Sequence, residues 1–189
     1  MSNALRLVVA EDEAIIRLDL VEVLRDCGYE VVADCGRGDD AVALVAEPAP
    51  DLALLDIKMP GLSGTEAARE ITADSSTAVV MLTAFSQREL IDEASDAGAM
   101  AYLIKPYRRE ELIAAIELAV ARRREADALA GQMAVLEERF EERKMIDRAK
   151  GALMDRDGLS EADAFRIMQR SAMSGRRKMI DVALEVLEQ

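Results

Sequence analysis

Five short apolar runs punctuate the first half of the chain, at residues 5–10, 30–35, 51–55, 78–83 and 101–104. Runs this short and this rich in apolar residues, with charges only at Arg6, Glu30, Asp34 and Asp51, read as strands of a sheet covered on both faces. The segments between them switch to helical spacing. In residues 13–27, Ile16, Leu20 and Leu24 fall on one face, and Gly28 stands where a helix would stop. Ser63 with Glu66, and Ser86 with Glu89, have the spacing of capping boxes that open later helices, and Gly98 closes the second of these. Strands alternating with helices predict an α/β domain with a parallel five-stranded sheet covered on both sides.

The pattern changes after Tyr107. Leu112, Ile113, Ile116 and Val120 form a helical stripe suited to packing on the sheet. Ala126, Leu129, Met133, Leu136 and Phe140 then recur at steps of three and four, a coiled-coil-like seam of about two heptads. Gly158 ends this long helix, Ser160 and Asp163 cap the next, and Gly175 separates that one from a last helix over 176–187. The expected organisation is an α/β domain over 1–121, a helical linker over 122–140 that could pair two copies through 126–140, and a three-helix all-α domain over 141–189.

Charge sharpens the division. The 189 residues carry a net charge of −13. Residues 1–121 hold 10 basic and 23 acidic side chains, whereas 139–180 hold 11 basic and 7 acidic. The two halves therefore suit different partners, and the second tolerates a polyanion. Two cysteines without metal-ligand spacing fit a reducing compartment. The apolar run before Glu11 is too short for a signal peptide, and no stretch is long enough to span a bilayer, so a cytoplasmic protein with no membrane partner is expected. Histidine is absent, which excludes a histidine nucleophile, a histidine base and histidine-ligated zinc in this chain.

In an open α/β sheet, ligands sit beyond the carboxyl ends of the strands. Those ends supply Glu11 and Asp12, Asp56, Thr83 and Lys105 from four different strands. Three carboxylates in one small site repel one another, and a hard divalent cation such as Mg²⁺ would relieve this while keeping several waters. Asp56 is then a nucleophile able to form an acyl phosphate. Thr83 offers a hydroxyl and Lys105 an ammonium to phosphoryl oxygens. A cis peptide bond at Lys105-Pro106 is expected to aim the lysine inward.

The runs Val9-Ala10-Glu11-Asp12-Glu13, Leu54 to Gly61 (LLDIKMPG), Leu82-Thr83-Ala84 and Tyr102 to Pro106 (YLIKP) resemble the receiver domain of response regulators over residues 5–121. The resemblance implies a flavodoxin-like (βα)5 fold and phosphorylation of Asp56 by a partner sensor histidine kinase. It also implies Mg²⁺ bound directly by Asp12 and Asp56, through water by Glu11, and by the backbone carbonyl of Lys58. Tyr102 would be a switch aromatic whose rotamer follows Thr83, and Ala84 would leave room for the phosphoryl group. Phe85, two residues beyond Thr83, is expected to hinder attacking water. Residues 89–97, Tyr102 and residues 110–120 make up the face expected to rearrange on phosphorylation.

The tail reads Ile146 to Met154 (IDRAKGALM), Ala164-Phe165, Ala172-Met173, Arg176-Arg177-Lys178 and Asp181-Val182-Ala183. This is similar to the ANTAR domain, a three-helix RNA-binding module found in response regulators of actinobacteria. Ile146, Leu153, Met154, Phe165, Met168, Met173, Ile180 and Ala183 are expected to pack the helices, with Ala149 and Gly151 allowing close approach. Arg148, Lys150, Arg170, Arg176, Arg177 and Lys178 are the candidate phosphate-binding set. With Phe140 and Phe165 expected to be buried, recognition should rest on stem-loop shape and backbone contacts rather than on stacking. The resemblance implies paired hairpins in leader RNA whose binding prevents a terminator from forming, and a two-part target suits a dimer. The alternatives are a DNA-binding regulator acting on promoters, a protein-binding output, and an aspartyl-phosphate phosphatase. Against the last, Lys58 stands where such an enzyme has its second aspartate. The chain reads as a phosphoacceptor signalling protein, not an enzyme.

Overall fold

The structure is a computed structural model that describes residues 4–47, 49–84 and 95–188. The chain divides into two compact units, Met1–Asp127 and Ala128–Gln189.

In the first unit the expected strands form: β1 (Arg6–Ala10), β2 (Glu30–Cys35), β3 (Leu52–Asp56), β4 (Ala78–Thr83) and β5 (Ala101–Ile104). They make one sheet in the order β2-β1-β3-β4-β5, with every neighbouring pair parallel. Alternation along the strands divides the core into two layers. Leu7, Val9, Leu52, Leu54, Val80 and Leu82 face one side and pack on α1 (Ala14–Asp26) and on the first part of α4 (Arg109–Asp157). Leu112, Ala115, Ile116, Ala119 and Val120 supply the apolar stripe of α4. Val8, Ala10, Ala53, Leu55, Val79 and Met81 face the other side, against α2 (Gly38–Ala46) and α3 (Gly64–Asp74). This is the flavodoxin-like arrangement expected. The capping box at Ser63 opens α3, with the Glu66 N–H donating to the Ser63 hydroxyl and the Ser63 N–H to the Glu66 carboxylate. The corresponding box at Ser86 and Glu89 lies outside the described residues, as do Phe85 and most of the 89–97 segment.

The second unit consists of the remainder of α4 with α5 (Glu161–Gly175) and α6 (Met179–Leu187). Its core is Ala149, Leu153, Ala164, Met168, Ala172, Val182 and Ala183, with Ile146 partly buried against it. Leu153, Met168 and Ala183 are therefore in the expected core, and Ile180 is half-buried. Met154, Phe165 and Met173 are not. They are exposed, Met173 at 75% and Phe165 at 43%. Each follows directly on a buried residue (Leu153, Ala164 and Ala172), so it points about 100° away from the packed face. Alanines at the contact positions let the helices approach closely and exclude their larger neighbours. Ala149 is one of these, but a side chain at Gly151 would meet open space, so that glycine is not needed for packing.

The turn between α5 and α6 also departs from expectation. The last helix starts at Met179 rather than at residue 176, and the left-handed position falls on Arg176 (φ 51°) instead of Gly175. The N–H groups of Arg176 and Arg177 donate to the carbonyls of Met173 and Ala172 and close the end of α5.

Candidate functional site

The register of the sheet gathers the site. Ala10 pairs with Leu55, Asp56 with Leu82, and Thr83 with Ile104. Four adjacent parallel strands therefore end level, and the residues at or just past their ends meet at one edge. Carboxylate oxygens of Glu11, Asp12 and Asp56 lie within 4.8 Å of one another. The Lys105 ammonium donates to Glu11 Oε2 at 2.5 Å and to Asp56 Oδ1 at 2.6 Å. The Lys58 N–H donates to Asp56 Oδ2 at 2.9 Å, so the two oxygens of Asp56 have different partners. Thr83 is buried and lines the same cleft, of about 260 Å³, as Asp12, Asp56, Lys58, Ala84 and Lys105. The peptide bond at Lys105-Pro106 is cis. All five expected side chains converge.

Burial sets the electrostatics. Glu11 is fully buried, and burial pushes its carboxyl above the usual range, although the bond from Lys105 works against this. Burial alone would lower the Lys105 ammonium, but its bonds to Asp56 and Glu11 outweigh that and raise it. Of the three clustered carboxylates, Glu11 and Asp56 share the Lys105 ammonium, and Glu11 Oε1 is buried with no hydrogen-bond partner among the described residues. An orphaned buried oxygen in a carboxylate cluster with Asp12 exposed at its mouth fits a hydrated divalent cation.

Three positioning features escaped the sequence reading. The Arg17 guanidinium donates to the Glu11 carbonyl at 2.5 Å and pairs with Asp34 at 3.0 Å, fixing the turn after β1. Gly64 packs so closely beneath the acceptor that a Cβ there would sit 2.0 Å from the Asp56 carbonyl oxygen. Gly38 meets the Leu62 carbonyl equally closely. The Arg17–Asp34 and Gly38–Leu62 approaches depend on which loops the sheet order brings together, and the Glu11 and Asp56 ones on how each β–α turn closes, so none is marked in the local sequence. Tyr102 lies on β5 and is 47% exposed.

In the second unit, Lys150 is held by Asp147 at 2.7 Å and Glu161 at 2.8 Å, and Arg177 pairs with Glu185. Arg148, Arg170, Arg176 and Lys178 are exposed and form no ion pair among the described residues. The seam residues Leu129, Met133, Leu136 and Phe140 are all exposed, Phe140 at 67%. The expectation that both phenylalanines of this half are buried is thus overturned, and with it the argument against stacking. Among the described residues no helix is long and apolar enough to cross a membrane.

Comparison with known proteins agrees with both halves. Residues 7–117 match the response regulator receiver domain and residues 134–187 the ANTAR domain. The transcriptional regulatory protein PdtaR of Mycobacterium tuberculosis (strain ATCC 25618 / H37Rv) is 52% identical over 97% of this chain and 89% of its own length. The chemotaxis protein CheY of Bacillus subtilis (strain 168) is 33% identical over 59% of this chain and 93% of its own. Among solved structures, the signal receiver domain of the putative response regulator NarL from Mycobacterium tuberculosis superposes with a TM-score of 0.61 at 29% identity, covering 63% of this chain and 98% of that one. With its strand-end cluster and its three-helix output unit, the chain belongs to the response regulators, as a PdtaR-like protein that joins a receiver domain to an ANTAR domain.

Proposed function

We propose that Asp56 accepts a phosphoryl group from the phosphohistidine of a partner sensor kinase, and that the ANTAR unit in turn binds RNA hairpins to control transcript termination. The observation that carries the first part is the ammonium of Lys105 bridging Glu11 and Asp56 beside Asp12. In the transfer an Asp56 carboxylate oxygen bonds to phosphorus while the phosphorus–nitrogen bond of the donor breaks, and the imidazole leaves with the partner. Lys105 can turn one of its two hydrogen bonds to a phosphoryl oxygen, and the Thr83 hydroxyl serves another. The Lys58 N–H holds the acceptor carboxylate in place meanwhile. Mg²⁺, held by Asp12, Asp56, the Lys58 carbonyl and, through water, Glu11, would supply the positive charge that this acidic site lacks. Tyr102 is exposed on the edge strand β5 beside Thr83's strand, where its ring can change position when Thr83 engages the phosphoryl group.

Asp56→Asn tests the acceptor. The wild-type protein should take up one phosphoryl group from a small-molecule phosphodonor in Mg²⁺, and the variant none; equal labelling of both would move the acceptor elsewhere.

The RNA reading rests on the exposed Arg148, Arg170, Arg176 and Lys178 together with the ANTAR match. Leu129, Met133, Leu136 and Phe140 form an exposed apolar stripe suited to a second copy of the chain, which would present two units to paired hairpins. Titration of the protein on leader RNA hairpins and on matched duplex DNA separates this from promoter binding. Preference for the hairpins supports it, and preference for the duplex overturns it.

A further inference from the structure

From the exposed face of α5 we infer that Phe165 is a stacking platform for an unpaired base in the loop of the bound RNA, an inference that rests on the RNA-binding reading above. The buried stripe of α5 is Ala164, Met168 and Ala172. Phe165, Gln169 and Met173 follow these at steps of four and form a separate exposed ridge, about 12 Å long by the helical rise. Arg166 and Arg170 lie on the outer side of the ridge. Arg166 is held by Asp163, whereas Arg170 forms no ion pair among the described residues. One turn before Phe165, Glu161 and Asp147 hold the ammonium of Lys150 at 2.8 and 2.7 Å and neutralise it, so Arg170 is the cation that the ridge offers.

The composition of this ridge selects its occupant. An apolar protein surface laid on Phe165 and Met173 would strip water from the Gln169 amide and from Arg170 without replacing their hydrogen bonds. A nucleotide of a hairpin loop satisfies all of them. Its base presents a π-face to the ring and an edge to the amide, and its phosphate meets the Arg170 guanidinium. Along a paired stem the stacked pairs cover one another's faces, and only the end pairs, held in their hydrogen bonds, leave a face open, so the ridge favours loop over stem. Phe165 would thus supply a preference that the basic set, which reads charge, cannot.

The chain has no tryptophan, so Phe165→Trp places a single reporter at the platform. The experiment uses full-length protein with two synthetic RNAs that share a stem, one a hairpin with an unpaired purine-rich loop and the other the same stem as a blunt duplex. Wild type should favour the hairpin by about tenfold or more, as one stacked base implies. Phe165→Ala should lose that preference yet keep salt-dependent binding to both RNAs, and Phe165→Trp should keep it, with fluorescence quenched by the hairpin and not by the duplex. Retention of the loop preference by Phe165→Ala would overturn the inference while leaving RNA binding intact, as would an unquenched tryptophan in a protein that still binds. Wild type that binds neither RNA would defeat the RNA reading itself, and the platform with it. A fall in the sedimentation mass of unbound Phe165→Ala would assign the ridge to a second copy of the chain instead.

Discussion

Lys105→Met removes the countercharge of a fully buried carboxylate, and the size of the effect can be bounded. Lys105 contacts Glu11 at 2.5 Å and Asp56 at 2.6 Å. Without it, Glu11 remains inside with Asp56 and Asp12 as like-charged neighbours. Removing one partner of a buried pair costs about 3–5 kcal/mol when the charge stays. The protein has a cheaper course, which is to protonate Glu11. Starting from a reference value of 4.5, holding that proton at about pH 7 costs roughly 3 kcal/mol, which sets the ceiling. A carboxyl whose folded pKa is raised binds its proton in the folded state first. Its stabilising effect is complete below the unfolded pKa and is lost as pH rises through the folded pKa. The deficit of the variant should therefore shrink by about 1.4 kcal/mol per pH unit of acidification and fall below about 1 kcal/mol near pH 5. Urea unfolding of both proteins in EDTA at the two pH values measures it. A variant as stable as wild type at neutral pH, or a deficit that grows on acidification, would mean that Lys105 is not the countercharge that keeps Glu11 ionised.

Arg176 occupies a left-handed position that costs a non-glycine residue about 1 kcal/mol, so Arg176→Gly should leave stability unchanged or raise it by up to about 1 kcal/mol while weakening hairpin binding. Unfolding and RNA titration of one preparation check both, and a destabilised variant with intact RNA affinity would make the residue structural. Ser160 accepts the Asp163 N–H at the start of α5, and Ser160→Ala should cost about 1 kcal/mol in a urea melt, whereas an unchanged midpoint would deny the cap a role. Gly64→Ala forces a Cβ against the Asp56 backbone. It should slow phosphorylation from a small-molecule donor about tenfold or more, and an unchanged rate would mean that the acceptor does not depend on that approach.

The receiver half was legible because its chemistry is written at strand ends. Once five apolar runs are parallel strands, Glu11, Asp12, Asp56, Thr83 and Lys105 have nowhere to go but one edge. The contacts that hold that edge were not legible. Arg17 reaches Asp34 and Gly38 meets Leu62 only because of the order β2-β1-β3-β4-β5, whereas Arg17–Glu11 and Gly64–Asp56 depend on how the chain turns within one β–α unit. In the output half the elements were readable but the helix faces were not. Leu153-Met154, Ala164-Phe165 and Ala172-Met173 are adjacent apolar pairs. The reading placed the larger member of the last two in the core, and both members of the first. Yet the small ones, spaced with Ala149, Leu153 and Met168, are the ones that pack. The spacing of four that runs through Ala149–Leu153 and Ala164–Met168–Ala172 was the better guide, with small side chains at the positions of close helix approach. The turn expected at Gly175 was displaced as well. Gly175 still fits within α5, and the turn falls where the chain leaves the helix, on Arg176.

Phosphorylation of the acidic site on the sheet edge is expected to govern RNA binding by the output unit. The affinity of full-length protein for an RNA hairpin, measured with and without a phosphodonor in Mg²⁺, tests it when set beside Asp56→Asn. The wild type should bind more tightly when phosphorylated, and the variant should not respond. Identical affinities in all four conditions, in a protein shown to carry the phosphoryl group, would contradict that expectation.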